Sequence, residues 1–206
     1  MSEKFSPSQS FPVQAVLFEA SLVLLAVVLG WILGQSPLTT LRFNPHALQI
    51  GSLAVLPLLC LLLVCERVPW RPVQEVRRVM DDLIAPMFKS WSWFELAGLS
   101  LLAGLGEEML FRGVFQAALV QWTGDFLPHS PAGAMLGDWT AVLAVAILFG
   151  LLHALNLAYA VLATLMGLYL GWLWMASENL VVPVVAHALY DFLALLYILR
   201  QHRGET

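Results

Sequence analysis

Six long apolar runs, separated by short polar or Gly- and Pro-containing stretches, organise this chain. A helix needs about 20 mostly apolar residues to cross the hydrocarbon of a bilayer. The runs at about 11–34, 47–65, 91–122, 138–157, 158–177 and 180–199 meet that length. The third is long enough to tilt or to project into the cytosol. Pro57 falls inside the second run and is expected to kink it, whereas Pro183 suits the first turn of the last. The first run is too long for a cleavable signal and reads as a retained anchor helix. The pattern predicts an all-α fold, a polytopic transmembrane helix bundle of about six spans.

Between the second and third runs the period changes. Val73, Val76, Met80, Leu83, Ile84 and Met87 recur at helical spacing, while Arg77, Arg78, Asp81 and Asp82 take the other face and Pro72 opens the segment. This predicts an amphipathic helix that lies in the headgroup plane, packs on its own protein as a connector, or gates a substrate. The stretch 123–137, with Gly and Pro but no Lys or Arg, reads as an outer loop. The expected organisation is therefore an anchor of two spans over 1–66, an amphipathic segment over 67–90, a helical core over 91–199 and a tail over 200–206.

Composition sharpens this reading. The chain has 206 residues, of which 60% are hydrophobic and 12% charged, and its mean hydropathy is +0.79. Soluble domains carry about 25% charged residues, so lipid is the expected surrounding. Basic residues give the orientation. Lys4, then Arg67, Arg71, Arg77, Arg78 and Lys89, then Arg200 and Arg203 fall on one side, only Arg42 on the other, and Arg112 inside a span. Both termini are expected in the cytoplasm. The net charge of −4 and the lack of a basic patch argue against a nucleic-acid partner. Cys60 and Cys65 share one apolar run and suggest neither a disulfide nor a zinc framework. Short loops and small size suggest the cytoplasmic membrane of a prokaryote.

Ionisable groups inside the runs are the anomaly. Glu107, Glu108 and Arg112 lie in the middle of the third, His153 in the fourth, and His187 and Asp191 in the sixth. The Arg and Asp alone imply roughly 5–7 kcal/mol of insertion penalty, which pairing must offset and which usually reflects a function. Glu108 and Arg112 are one helical turn apart and can pair, as can His187 and Asp191. Glu107 is rotated about 100° from Glu108 and is free to point elsewhere. Phe149 stands one turn before His153, and Gly104, Gly106, Gly113 and Gly150 allow close helix approach. Neutralising Arg112 explains Glu108 without chemistry, and a single intramembrane His is often a packing residue. Glu19, alone in the first run, lies near the interface or lines the bundle. Two Glu, two His and an Asp on three helices are harder to explain as packing.

No G-x-S-G or H-E-x-x-H is present, and Tyr190–Asp191 has no accompanying G-x-G-D. Two chemistries remain open. A glutamate near a His can take a proton from water while a second His stabilises an oxyanion. The same groups, Glu107, His153, His187 and Asp191, can instead ligate a divalent metal such as zinc.

The residues also carry a resemblance. Glu107-Glu108-Met109-Leu110-Phe111-Arg112 matches E-E-x-x-x-R, Phe149-Gly150-Leu151-Leu152-His153 matches F-x-x-x-H, and His187-Ala188-Leu189-Tyr190-Asp191 matches H-x-x-x-(N/D). In order and placement they resemble the CPBP family, named for CAAX proteases and bacteriocin-processing proteins and also called Abi, which includes the type II CAAX prenyl endopeptidases. The similarity covers about 91–199. It implies a glutamic-type intramembrane endopeptidase acting on a membrane-associated peptide or protein, CAAX-like or bacteriocin-related, with no cofactor required. By motif position, Glu107 resembles the general base working with His153. Glu108 and Arg112 resemble the supporting pair, together with Phe149, and His187 resembles an oxyanion-side residue assisted by Asp191. The CAAX-cleaving relatives have Asn at that last position. An ionised Asp cannot donate to an oxyanion, so Asp191 is protonated, orients His187 or binds metal.

Two readings from other classes accompany this one: a non-catalytic immunity or assembly factor whose polar cluster is interhelical glue, and a small transporter, for which no inverted repeat is evident. Geometry poses one difficulty. Counted from the outer face, His187 is about seven residues in and His153 about fifteen, a depth mismatch of roughly 12 Å. A re-entrant start to the last helix, with a cavity open toward the cytoplasm, would remove it.

Overall fold

The computed structural model describes residues 11–203. Lys4, residues 204–206 and the side chain of Arg203 lie outside the described residues. Within them the chain is all-helical, without a strand. Helix α1 spans Phe11–Ile32 and α2 Pro45–Arg67. The amphipathic segment follows as α3 (Arg71–Val79), a π-helical stretch (Met80–Ile84) and α4 (Ala85–Phe88). Next come α5 (Trp93–Leu110), a second π-helical stretch (Phe111–Gln116) and α6 (Ala117–Phe126). Helices α7 (Pro131–Leu152), α8 (Leu157–Ser177) and α9 (Val181–Arg203) complete the bundle.

Among the described residues, five helices (α1, α2, α7, α8 and α9) are long and apolar enough to cross a membrane. The sixth expected crossing is the helical path 93–126, which the π-helical stretch divides and whose first part carries Glu95, Glu107 and Glu108. One apolar cluster joins Ala85, Phe88, Trp91, Ile198 and Leu199, with Ala15 packed against it. It gathers the start of α1, the segment 85–91 and the end of α9 at one end of the bundle. The basic residues of 67–89 and Arg200 therefore share an end, as the charge pattern predicts. Arg42 lies at the other end, hydrogen-bonded to Asn179.

Two expectations change. The outer loop expected over 123–137 shrinks to four residues between α6 and α7. Ser130 caps α7 by accepting from Gly133 N–H, with Pro131 in the first turn, so Ser-Pro here starts a helix. Gly137 serves packing, since a Cβ there would stand 2.8 Å from Thr123 Oγ1. The fourth helix thus begins at Pro131 and ends at Leu152, rather than running over 138–157, and His153 sits just beyond its end. Asn156 starts α8 by accepting from Tyr159 N–H at 2.8 Å. Of the readings open for it, the amphipathic segment takes the one in which it packs on its own protein. Val73 and Phe88 are buried, and Val76, Met80 and Ile84 line a cavity described below.

Candidate active site

Helix α5 is anchored at its start by a capping box, in which Ser92 Oγ accepts from Glu95 N–H and Glu95 Oε2 accepts from Ser92 N–H at 2.7 Å. Small residues then let its neighbours close in. A Cβ on Gly104 would lie 2.9 Å from Ala188 Cβ, and one on Gly106 would lie 3.0 Å from the Glu19 carbonyl oxygen. Helices α9 and α1 therefore meet α5 backbone to backbone immediately before Glu107 and Glu108.

Glu108 is fully buried and organises one half of the cluster. Its Oε1 accepts from Arg112 Nη1 at 2.8 Å and from His187 Nδ1 at 2.8 Å. Arg112, also fully buried, donates through Nη2 to the Gly167 carbonyl of α8 at 2.9 Å. Its guanidinium carbon lies 5.0 Å from the centroid of the Phe149 ring, within cation–π range. Thus the pair read from the i, i+4 spacing is present. The spacing could not reveal that His187 shares the same carboxylate oxygen, because that contact joins residues far apart in the chain.

Glu107 faces the other way. Its Oε1 is 3.6 Å from His153 Nε2 and its Oε2 is 3.9 Å from His187 Nε2. His187 Nε2 lies 3.4 Å from Asp191 Oδ2. His153 is stacked on Phe149, ring centroids 4.2 Å apart, and donates from Nδ1 to the Phe149 carbonyl at 2.8 Å. A carbonyl only accepts, so this hydrogen bond assigns the proton to Nδ1. In the neutral ring Nε2 is then an acceptor turned toward Glu107. The structure brings Glu107, His153, His187 and Asp191 together, with Glu108, Arg112 and Phe149 behind them.

The depth difficulty disappears for a physical reason. Leu180 and Val181 at the start of α9 are fully buried, and their amide hydrogens are satisfied by the Thr40 carbonyl at 2.8 Å and by Asn179 Oδ1 at 3.1 Å. The last helix begins inside the protein, beneath the segment joining α1 to α2. Buried backbone is tolerated where its polar groups are paired.

A cavity of about 310 Å³ runs from this cluster toward the basic end of the bundle. Glu107, His153, His187 and Asp191 line it, together with Glu19, Tyr159, Tyr190 and Arg77. Glu19 Oε2 and Glu107 Oε2 are buried without a hydrogen-bond partner in the protein. The sequence hinted at Glu19, the single acid in its apolar run. Tyr159 and Arg77 were not anticipated. Tyr159 sits in an apolar run where an aromatic is unremarkable, and Arg77 falls on the polar face of the amphipathic segment. A metal, if bound, would draw on the same Glu, His and Asp set. Among the described residues, however, no group of three or more His, Cys, Asp or Glu side chains has an arrangement suited to a metal ion.

A family model described as Type II CAAX prenyl endopeptidase Rce1-like matches residues 89–193, about half of the chain, and spans every residue of the cluster. No curated protein and no solved structure matches the chain.

Proposed function

The chain belongs to the Rce1-like family of type II CAAX prenyl endopeptidases, and from that premise we propose that its buried cluster hydrolyses a peptide bond of a membrane-associated protein by glutamate-activated water. The observation that carries this reading is the placement of Glu107, whose two oxygens face the Nε2 atoms of both histidines across 3.6 and 3.9 Å in a cavity. These separations exceed a direct hydrogen bond and suit a bridging water. Such a water donates one hydrogen to Glu107 Oε1 and the other to His153 Nε2, which turns an oxygen lone pair outward. When it attacks the scissile carbonyl, Glu107 takes its proton and the carbonyl oxygen becomes an oxyanion. His187 carries N–H groups at both nitrogens, Nδ1–H directed to Glu108 and Nε2–H shared between Asp191 and the oxyanion. Collapse of the tetrahedral intermediate breaks the C–N bond, and the proton held by Glu107 passes to the leaving amine. Asp191 thereby orients His187, the role left open by its inability to donate when ionised.

General-base catalysis typically contributes about 10²–10⁴-fold and one oxyanion donor about 10²–10³-fold. Purified protein in lipid nanodiscs, presented with membrane-anchored prenylated and unprenylated peptides, tests the reading. Glu107→Gln should lower cleavage by at least about 100-fold with the fold intact, and a chelator should leave wild-type cleavage unchanged. Full activity in a folded Glu107→Gln variant removes Glu107 as base, and loss of activity with chelator replaces the water mechanism by a metal-dependent one.

A further inference from the structure

A peptide that reaches Glu107 loses water from its main-chain N–H groups, and each such group left unpaired is costly. Many peptide-binding proteins answer this need with a sheet edge, to which an extended peptide adds as a strand. Among the described residues this fold has no strand, and helices use their main-chain carbonyls internally. Acceptors for the peptide must therefore be side chains on the cavity wall. Among the described residues, the buried polar atoms of that wall without a hydrogen-bond partner in the protein are Glu19 Oε2, Arg77 Nε, Ser100 Oγ and Glu107 Oε2. Arg77 Nε–H is a donor, and Glu107 is assigned to the water. Glu19 Oε2 and Ser100 Oγ remain as acceptors that the proposed chemistry does not use.

Their positions suit such a role. An acid in a membrane-crossing helix is costly, and Glu19 Oε2 returns no hydrogen bond to the protein. The contact between α1 and α5 fixes it beside the chemistry, because a Cβ on Gly106, the residue before Glu107, would lie 3.0 Å from the Glu19 carbonyl oxygen. Ser100, 2% exposed, precedes Glu107 on the same face of α5 with Ala103 between them, and all three line the cavity. Helical side chains lean toward the N-terminal end of their helix, so Glu107 leans back toward Ser100. The rise from Ser100 to Glu107 is about 10 Å, or about three residues of extended peptide. Resting on the endopeptidase reading above, we infer that Glu19 is a substrate-binding residue whose Oε2 accepts a hydrogen bond from a main-chain N–H next to the scissile bond, with Ser100 Oγ accepting from a second N–H about three residues away. A carboxyl oxygen accepts whether or not the group is ionised. Two acceptors that read only the main chain set the register of the bound peptide without choosing its side chains.

The test uses the full chain in nanodiscs and one membrane-anchored S-prenylated peptide. Each amide flanking the scissile bond is replaced in turn by an ester, which deletes one N–H at almost constant shape. Cleavage is read on wild type and equilibrium binding on Glu107→Gln, each with and without a substitution at Glu19. One ester should lower kcat/KM and binding by about 10-fold or more where Glu19 is present. Glu19→Leu should erase or reverse the penalty at that position alone, because removing both partners of a buried hydrogen bond is nearly neutral. Glu19→Gln keeps an acceptor oxygen and should keep the penalty. A second ester, about three residues farther along, should lose its penalty only in Ser100→Ala. Glu19→Leu should also be at least as stable as wild type in thermal unfolding, since it removes a polar atom that the fold leaves unpaired. Esters that cost nothing, or cost the same in Glu19→Leu, overturn the inference and leave the endopeptidase reading standing. A binding penalty that depends on Glu19, with no peptide cleaved by wild type, supports the acceptor and overturns the endopeptidase reading. Uniform weakening of every peptide by a destabilised Glu19→Leu makes Glu19 a packing residue and overturns the inference, as does failure of every peptide to bind.

Discussion

Glu107 and Glu108 are adjacent in sequence, and the same substitution should act on them in opposite ways. Glu108 Oε1 accepts from Arg112 and from His187, both at 2.8 Å, and both Glu108 and Arg112 are fully buried. Breaking a buried ion pair by removing one partner costs about 3–5 kcal/mol, because the remaining charge is left uncompensated. In Glu108→Gln the amide oxygen still accepts one hydrogen bond, and Arg112 keeps the Gly167 carbonyl and the Phe149 ring. The loss should therefore fall near the lower end, about 3 kcal/mol, which is roughly a 100-fold change in the folding equilibrium. Glu107 makes no contact shorter than 3.6 Å to either histidine, and its Oε2 has no partner. Glu107→Gln should change stability by less than about 1 kcal/mol while lowering cleavage by about 10²–10⁴-fold. Equilibrium unfolding in detergent, followed by tryptophan fluorescence, and peptide cleavage in nanodiscs measure the two quantities on the same preparations. Equal destabilisation by the two variants, or a fully stable Glu108→Gln, would refute the division into a structural and a chemical glutamate.

Other substitutions probe how the site is held. Gly104→Val should push α9 away from α5, since even a Cβ would meet Ala188 Cβ at 2.9 Å; cleavage should fall at least about 10-fold, with partial recovery in the double variant with Ala188→Gly, measured as a double-mutant cycle. Asn179→Ala removes bonds to both main-chain groups of Arg42 and to Val181 N–H and should cost about 1–3 kcal/mol in the same unfolding assay, with kcat falling because the buried start of α9 positions His187. If Asp191 orients His187 across 3.4 Å, Asp191→Asn should retain cleavage within about 10-fold of wild type and Asp191→Ala should lose about 10²-fold or more. Equal loss in both would show that the carboxylate charge itself is required.

What could be read without a structure was whatever depends on short spacing. Helix existence follows from run length, so the crossings were legible, and i, i+4 spacing made Glu108–Arg112 and His187–Asp191 legible as pairs. Element ends were not. Ala154, Leu155 and Leu157 continue the apolar run past the end of α7, so hydrophobicity carries no stop signal at His153, while Gly133 and Gly137 suggested a loop where Gly133 fits against the Pro128 backbone and Gly137 packs on Thr123 of α6. The contact between Glu108 and His187 was illegible because one carboxylate oxygen can accept from two helices only when the backbones of α5 and α9 touch. That approach depends on Gly104 and Ala188 lying opposite each other, a register no periodicity encodes.

The cavity wall divides unevenly along the chain. All groups proposed to handle the water and the oxyanion belong to residues 89–193, whereas Glu19 and Arg77, which line the same space, come from α1 and α3 and lie outside that match. The division has a physical basis. Residues that exchange protons must keep their mutual distances to within a few tenths of an ångström, and α5 and α9 achieve this through a backbone contact and a shared buried carboxylate. A wall that only bounds the cavity tolerates looser placement, and α3 bounds it from a short helix attached through a few main-chain acceptors. Exchanging the cavity-lining residues of α3 should therefore be seen in KM and leave kcat for a given bound peptide unchanged. A fall in kcat with constant KM for Arg77→Gln would mean that α3 helps to assemble the cluster itself.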